Sequence, residues 1–293
     1  MIVLEAGKAR AEIARDGAEI TLWDVAGTPL LWHPDPTVWP EIAPILFPVV
    51  GWTKDAQVRV GARNFPLGLH GFARARRFEI VDQERMAVRL RLVSDAATLA
   101  LYPFEFSFTV EHRLSDNGLQ TRLDVINTGE HAMPYACGFH PGFRWPFAGG
   151  AAEAYRIRFA EAEDPLVPEI APGGLISKRK RPLPLEGKIL PLAAKLFEND
   201  ALCFLNSRSQ GLRFEAPDGA AITLEVEDFP HLALWCRPGH GYLCLEAWTG
   251  YSDPDDVAGD LFAKPSMRIL APGARARHAA IYTYEPAEGR GRS

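Results

Sequence analysis

The chain has 293 residues, a net charge of −5 and a sequence pI near 5.9. Because binding to nucleic-acid phosphates needs a concentrated basic surface, this charge argues against nucleic acid as a main partner. Hydrophobic residues make up 47% and charged residues 24%, which is typical of a folded globular protein. The sequence contains no apolar run of 18 residues and no recognisable signal peptide, so we expect a cytoplasmic protein without a membrane partner.

Four cysteines occur in the chain, and each has apolar neighbours: Cys137, Cys203, Cys236 and Cys244. None belongs to a C-x-x-C pair of the kind that typifies zinc or redox sites. Isolated thiols in apolar surroundings usually pack as small hydrophobic side chains. We therefore predict neither a disulfide framework nor a metal site.

Alternation of apolar and polar residues predicts strands at residues 86–92, 104–110, 119–125 and 222–226. Each such strand turns one face to a core and the other to water or a binding groove. The pairs Asp16-Gly17, Asn117-Gly118 and Asp218-Gly219 lie between strand-like segments and tolerate the positive φ angles of tight hairpins. Two long hairpins are thus predicted, over residues 104–125 and 212–226.

Helix signals are scarce in the sequence. The best is Asp253-Pro254, an N-cap followed by a first-turn proline, which predicts a short helix towards Phe262. Residues 164–192 are rich in proline and include the basic segment 177–181, with the run Lys178-Arg179-Lys180-Arg181. We interpret this stretch as a solvated surface loop, with a lid or a phosphate-binding patch as the alternative.

Many short strands, regular turns and few helices favour an all-β fold. The expected architecture is a large antiparallel β-sandwich with very little helix. Because the sequence has no evident repeat or linker, we predict a single domain over residues 1–287. Residues 288–293 are predicted to form a disordered tail. We expect the protein to be a monomer.

The first candidate site segment is residues 69–74, LHGFAR, which brings His70 and Arg74 close together in the sequence. Histidine and arginine side chains donate hydrogen bonds to hydroxyl and ring oxygens, so this segment is a candidate binding site. A structural histidine in a turn, beside a surface arginine, is the alternative interpretation.

The second candidate is His140, at the end of an apolar run over residues 133–138. Pro141 disfavours a helical conformation at His140 and helps to keep the backbone extended. With an unperturbed pKa of about 6.5, histidine is suited to proton transfer at neutral pH. A histidine whose hydrogen bonds are satisfied within the core is the alternative.

The third candidate is Glu246, which lies inside an apolar strand-like segment and precedes Trp248 by two residues. A carboxylate in such surroundings loses solvation, which raises its pKa and makes it a better base. Trp248 offers a flat apolar face to a sugar ring. The alternative is a strand-end glutamate that pairs with an arginine.

Taken in order, these segments resemble the aldose 1-epimerase (galactose mutarotase-like) family, in its shorter bacterial branch. The matching stretches are residues 44–51 (PILFPVVG), 70–74 (HGFAR), 139–141 (FHP), 245–250 (LEAWTG) and 270–273 (LAPG). The resemblance spans nearly the whole chain. It implies the family's large antiparallel β-sandwich, the galactose mutarotase-like supersandwich, and a cofactor-independent isomerase.

The resemblance also implies an activity and roles for individual residues. Members of the family interconvert the α and β anomers of a free aldose, so a small-molecule sugar is the expected substrate. By position, Glu246 corresponds to the general base and His140 to the general acid. His70 corresponds to the second histidine, which holds the substrate near the ring oxygen. Trp248 is a further candidate contact to the sugar.

The chain departs from the family pattern at two places. Trp52 stands where many members carry a substrate-binding arginine, so Trp52 and Arg74 are the candidate contacts there. The family's substrate-binding aspartate has no secure match, although Asp228 lies near a plausible position. Two alternative functions therefore stay open, a hexose-phosphate 1-epimerase and a non-catalytic sugar-binding β-sandwich. The cations available for a phosphate would be Arg74, Arg76, Arg77 and residues 178–181.

Overall fold

Antiparallel strands make up nearly all the regular structure in the computed structural model, which describes residues 1–256 and 259–287. Helical structure in these ranges is limited to α1 (Ala96–Leu99) and 3-10 turns at Lys54–Ala56, Ala73–Ala75, Ala152–Ala154, Ala194–Phe197 and Leu261–Ala263. The strands are β1 (Ile2–Ala6), β2 (Ala9–Ile13), β3 (Ile20–Val25), β4 (Thr28–Pro29), β5 (Ile45–Leu46), β6 (Gln57–Val60), β7 (Arg63–Pro66), β8 (Glu79–Gln83), β9 (Ala87–Val93), β10 (Phe106–Leu114), β11 (Gly118–Asn127), β12 (Met133–Tyr135), β13 (Gly138–Phe139), β14 (Gly142–Arg144), β15 (Arg156–Phe159), β16 (Leu166–Ala171), β17 (Leu175–Pro182), β18 (Ile189–Pro191), β19 (Leu202–Phe204), β20 (Gly211–Glu215), β21 (Ala221–Glu227), β22 (His231–Trp235), β23 (Tyr242–Trp248), β24 (Arg268–Leu270) and β25 (Arg275–Glu285).

Two large sheets dominate the fold. A nine-stranded sheet has the order β18-β15-β20-β21-β25-β11-β10-β9-β8, and a six-stranded sheet has the order β19-β22-β23-β13-β5, with β14 also paired to β23. A four-stranded sheet, β1-β2-β3-β4, and the pairs β6–β7, β12–β24 and β16–β17 complete the described ranges. Every pairing between these strands is antiparallel. The predicted all-β antiparallel fold with very little helix is confirmed. The predicted tail, residues 288–293, lies outside the described residues.

Both predicted hairpins are present. Strands β10 and β11 pair continuously up to Leu114 and Leu119, and the Ser115 N–H donates to Gly118 O at 2.8 Å across the turn. Strands β20 and β21 flank the Asp218-Gly219 turn, where the Asp218 carboxylate accepts a hydrogen bond from Ala220 N at 3.0 Å. An aspartate that bonds its own turn in this way stabilises the reversal of the chain.

The predicted helix from Asp253 towards Phe262 is wrong in the described part of that segment. Pro254 forms an isolated β-bridge with Ile176, and the described helical structure there is the 3-10 turn Leu261–Ala263. The reason is that the Asp253 carboxylate does not cap a helix. It accepts a hydrogen bond from Lys54 N at 2.8 Å and pairs with a lysine. Among the described residues no helix is long and apolar enough to span a membrane.

The predicted surface loop over residues 164–192 is also wrong, because it contains strands β16, β17 and β18. Strands β16 and β17 form a separate two-stranded hairpin, with a register shift between Pro168 and Ile170. Such an irregularity lets a proline, which has no N–H to donate, lie within a strand pair. The high proline content therefore led to the wrong prediction of a loop where the chain forms a hairpin.

A layer of aromatic side chains packs the two large sheets against each other. Phe47, next to β5, stacks on Phe108 of β10 with ring centroids 4.4 Å apart. Phe143 of β14 lies 5.1 Å from Tyr282 of β25, whose hydroxyl donates to Leu245 O on β23 at 2.7 Å. Truncating one buried phenylalanine to alanine typically costs about 3–5 kcal/mol. This layer therefore fixes the position of the six-stranded sheet, whose strand β23 carries Glu246 and Trp248.

Candidate active site

Glu246 lies in β23, a strand whose seven residues are all buried. Because side chains alternate along a strand, Glu246 and Trp248 project from the same face of the sheet. The Glu246 Oε2 atom accepts a hydrogen bond from Trp248 Nε1 at 3.0 Å. The other carboxylate oxygen, Oε1, is buried and has no hydrogen-bond partner among the described residues. One oxygen is thus held in place while the other is available to a ligand.

His140 faces Glu246 because of the way β13 and β14 pair with β23. Gly138 and Gly142 pair with positions 248 and 244 of β23, so the intervening register places His140 opposite Glu246. The His140 Nε2 atom lies 3.2 Å from Glu246 Oε2. Its Nδ1 atom is buried without a partner in the described part of the chain. The sheet therefore brings together the two residues that the sequence nominated separately.

Two glycines leave room for the aromatic rings around this pair. A Cβ atom at Gly138 would lie 2.8 Å from Trp248 Cδ1, and one at Gly142 would lie 2.6 Å from Trp39 Cζ3. Any larger residue would push these rings away. With glycine in place, the Trp39 ring packs 5.3 Å from the His140 ring. The backbone at β13 and β14 is thus shaped by the close approach of two indole rings.

Burial shifts the pKa values of the two groups in opposite directions. Loss of solvation raises the pKa of Glu246 well above its usual range, and the Trp248 hydrogen bond offsets only part of this rise. Loss of solvation lowers the pKa of His140 to about 3. Both shifts favour the neutral form of each group, so a charge on either side chain is disfavoured in this site. We infer that the pair shares one titratable proton, which lies on the carboxyl group or, after transfer across the contact, on the imidazole.

His70 forms a third side of the site, at a tight turn. His70 and Gly71 have φ angles of +60° and +69°, and a Cβ atom at Gly71 would lie 2.4 Å from Phe47 O. The His70 Nδ1 atom accepts a hydrogen bond from Gly51 N at 3.1 Å, so the neutral ring carries its proton on Nε2. Burial, first of all, lowers the pKa of His70 well below its usual value. Its ring stands edge-to-face to the His140 ring, at 5.5 Å.

The three groups line a pocket of about 310 Å³, which is in the size range of small-molecule sites. Glu246 has no solvent exposure and marks the inner end, whereas Trp52 is 41% exposed and marks the mouth. Flat aromatic walls with a few polar groups suit the apolar faces and hydroxyl edges of a sugar. The aromatic lining residues are Trp39, Trp52, Trp235 and Trp248, and the charged ones besides Glu246 are Glu41, Asp200 and Arg237.

The structure places Arg74 behind the pocket rather than in its lining. Its Nη1 atom donates to both carboxylate oxygens of Glu41 at 2.7 Å, and its Nη2 atom lies 3.4 Å from Leu69 O. Glu41 is the member of this ion pair that faces the cavity. The other sequence-predicted contacts, His70, Trp52 and Trp248, all line the pocket.

Asp200 is one of two pocket carboxylates that the sequence interpretation missed. It lines the pocket from the loop before β19 and has a φ angle of +71°, which aspartate tolerates better than most residues. Asp228, the earlier candidate, pairs with Arg268 and His278 and does not line the pocket. The loop around Asp200 has no periodic pattern, so only the folded chain reveals its position. Glu41 and Arg237 were missed for the same reason.

The β16–β17 hairpin forms one wall of the pocket through Ile170, Gly174 and Ile176. Its basic run points elsewhere and is already paired: Lys178 with Asp256, Arg179 with Glu169, and Lys180 with Asp164, while Arg181 donates to Leu196 O and Asp200 O. The turn of the hairpin rests on Trp52, because a Cβ atom at Gly174 would lie 1.9 Å from Trp52 Cδ1. This segment is therefore part of the site, although its basic residues are not.

The fold and the site define a class of protein. Its members are antiparallel β-sandwiches with a buried His–Glu pair at the inner end of an aromatic pocket. Residues 1–283 match the family model for aldose 1-epimerase. Protein LacX of Lactococcus lactis subsp. lactis is 33% identical over 269 residues, which cover 87% of this chain and 90% of that protein. The chain belongs to the aldose 1-epimerase family, and the resemblance of its motifs is confirmed.

Two solved structures agree closely with the fold. A galactose mutarotase-like protein from Lactobacillus casei ATCC 334 has a TM-score of 0.90 at 31% identity, covering 97% of this chain and 100% of that one. A galactose mutarotase related enzyme from Lactobacillus acidophilus has a TM-score of 0.91 at 26% identity, covering 98% of both chains. The fold is therefore galactose mutarotase-like.

Packing of the hairpin turn on Trp52 predicts different outcomes for two adjacent substitutions. Gly174→Ala forces the indole of Trp52 to move, whereas Gly173→Ala puts its Cβ atom into open space. Both glycines have positive φ angles, +82° and +74° for positions 173 and 174, so both variants carry a similar backbone strain of about 1–2 kcal/mol. Only Gly174→Ala should change the tryptophan fluorescence, and it should lower the free energy of unfolding further. Equal fluorescence changes in the two variants would contradict the contact.

Proposed function

We propose that the protein is an aldose 1-epimerase that interconverts the α and β anomers of a free hexose, with Glu246 as general base and His140 as general acid. The observation that carries this proposal is the 3.2 Å contact between His140 Nε2 and Glu246 Oε2 at the inner end of an aromatic pocket. Membership of the aldose 1-epimerase family supports it, as does the likeness to a galactose mutarotase-like protein.

Ring opening of a hemiacetal needs one proton removed and one delivered. Glu246 takes the proton from the anomeric hydroxyl O1 while His140, as imidazolium, gives its proton to the ring oxygen O5. The C1–O5 bond breaks, a C1=O double bond forms, and both side chains become neutral. Rotation about the C1–C2 bond followed by the reverse transfers closes the ring as the other anomer, and the pair returns to its starting state.

Burial of the pair makes both proton transfers easier. A carboxylate with a raised pKa is a stronger base, and an imidazolium with a lowered pKa is a stronger acid. Ring opening ends with two neutral groups, which is the state that a low-dielectric site favours. The bound sugar favours the ionised state of Glu246 before reaction. A sugar hydroxyl that donates to the free Oε1 atom stabilises the carboxylate and so opposes the effect of burial.

The surrounding residues hold the substrate and the base in position. Trp248 Nε1 fixes one oxygen of Glu246, which leaves the other oriented towards the cavity. His70 presents its Nε2–H as a donor to a sugar oxygen, since its Nδ1 atom is occupied by Gly51 N. The exposed indole of Trp52 provides an apolar surface at the mouth of the pocket.

The charges around the pocket favour a free sugar over a sugar phosphate. None of the cations considered for a phosphate lines the pocket. Arg74 pairs with Glu41, Arg77 pairs with Asp16, and residues 178–180 pair with carboxylates of their own. Arg76 lies over the Phe72 ring, and Arg181 donates to backbone oxygens. Arg237 is the one arginine among the described lining residues, and the carboxylates of Glu41 and Asp200 share the lining with it. A dianionic phosphate would meet these carboxylates as like charges.

Glu246→Gln tests the proposed base directly. The amide has the shape of the carboxyl group but cannot accept the proton of O1, so the enzymatic rate constant should fall by about 10²–10⁴-fold. The measurement is the change in optical rotation of freshly dissolved α-glucose or α-galactose, with the spontaneous rate subtracted. Glu225→Gln, on the exposed face of β21, is the matched control and should keep the wild-type rate.

Two results would overturn this assignment. Full activity of Glu246→Gln would exclude Glu246 as the base. A wild-type protein that binds common aldoses without accelerating their mutarotation would instead support the non-catalytic sugar-binding alternative.

The pH dependence follows from the opposite pKa shifts of the pair. Because the pair keeps one proton from the lowered pKa of His140, about 3, up to the raised pKa of Glu246, the background-corrected kcat/KM should stay flat around neutral pH. The rate should fall only as the pH approaches about 3, where a second proton binds and removes the base. A profile with an inflection at about 6.5, the pKa of an unperturbed histidine, would contradict this description.

A further inference from the structure

Cys244 extends the His140–Glu246 pair into a cluster of three different metal-ligating side chains. The imidazole, thiol and carboxylate ligand atoms of His140, Cys244 and Glu246 all lie within 4.8 Å of one another, and all three residues are buried. Alternation along β23 directs Cys244 and Glu246 to the same face, and the register of β14 brings His140 across from them. The sequence concealed this cluster, because its spacing matches no metal-binding motif.

We propose that His140, Cys244 and Glu246 form a binding site for a thiophilic divalent cation of the zinc class. Nitrogen, sulfur and carboxylate oxygen are the donor set that Zn²⁺ takes in proteins, whereas Mg²⁺ and Ca²⁺ take oxygen alone. Three protein ligands with one open position is the arrangement of zinc sites that also bind a water or a substrate. A small ligand could reach a bound cation from the pocket, because His140 and Glu246 are among the lining residues and Cys244 is not.

Unused hydrogen-bonding atoms in the cluster support a ligand there. The Nδ1 atom of His140 and the Oε1 atom of Glu246 are both buried and have no partner among the described residues. Cys244 is a free, buried thiol. Buried polar atoms that lack partners carry a cost, and a cation that bonds to one of these two atoms offsets the cost of that atom.

The geometry requires only a small contraction of the cluster. Bonds of about 2.0–2.3 Å at tetrahedral angles place zinc ligands roughly 3.5 Å apart. Because the three ligand atoms already lie within 4.8 Å of one another, each pair needs to approach by at most about 1.3 Å. Binding releases the thiol proton, because the cation stabilises the thiolate. An occupied site would engage the same carboxylate and imidazole that the proposed reaction needs, so the cation and a sugar should compete.

Cobalt(II) is the probe for this site, because its binding can be followed without any measurement of activity. Titration of the wild-type protein with Co²⁺ at neutral pH should give the visible bands of a tetrahedral ion and a near-ultraviolet sulfur-to-cobalt charge-transfer band. Added Zn²⁺ should abolish both. Cys244→Ser should lose the charge-transfer band and bind at least about 10-fold more weakly, the loss that removal of an outer-shell partner can already cause.

Three further variants locate the cation. Glu246→Gln should keep the charge-transfer band but bind Co²⁺ more weakly, which tests the cluster without touching the thiol. Cys236→Ser, a second buried thiol, is the matched control and should behave as wild type. Cys203→Ser tests the thiol that lines the pocket. The proposal is overturned if wild type shows no charge-transfer band, if the band survives in Cys244→Ser, or if Cys203→Ser abolishes it.

Discussion

The site depends on one constraint of the β-sheet, the register in which β13 and β14 pair with β23. That register sets His140 against Glu246 at 3.2 Å, in a place where neither group keeps its solvation. A slip of one residue would turn Glu246 to the opposite face of the sheet and break the contact. The aromatic layer between the two large sheets resists such a slip, because Phe143 and Tyr282 lock β14 and β25 together.

Loss of solvation then determines the protonation chemistry of the His140–Glu246 contact. In water the two groups would ionise independently, but here burial pushes each towards its neutral form, which favours a single proton shared between them. A pair that exchanges one proton internally suits a reaction that removes a proton from one oxygen and returns it to another. The same two side chains, with the thiol of Cys244 beside them, are also the ligands that the proposed zinc-class cation would use.

Local patterns in the sequence predicted the strands, the two hairpins and the all-β class, because alternation and turn chemistry are short-range signals. The individual motifs nominated His70, His140 and Glu246, although only the folded sheet brings them together. Asp200 and Glu41 escaped prediction, since each lies in an irregular segment that long-range packing carries to the pocket. The β16–β17 hairpin was mistaken for a loop because its prolines obscured the alternation. Arg74 was assigned to the substrate because nothing in the sequence reveals its pairing with Glu41.

The shared proton is the central claim, and the ¹⁵N chemical shifts of His140 measure it directly. They can be recorded in the sugar-free protein through neutral pH, with the His140 signal assigned by its absence in His140→Gln. The account predicts the shifts of a neutral imidazole that do not change as the pH is lowered through about 6.5. A His140 signal that titrates with a midpoint near that value, independently of Glu246, would contradict it.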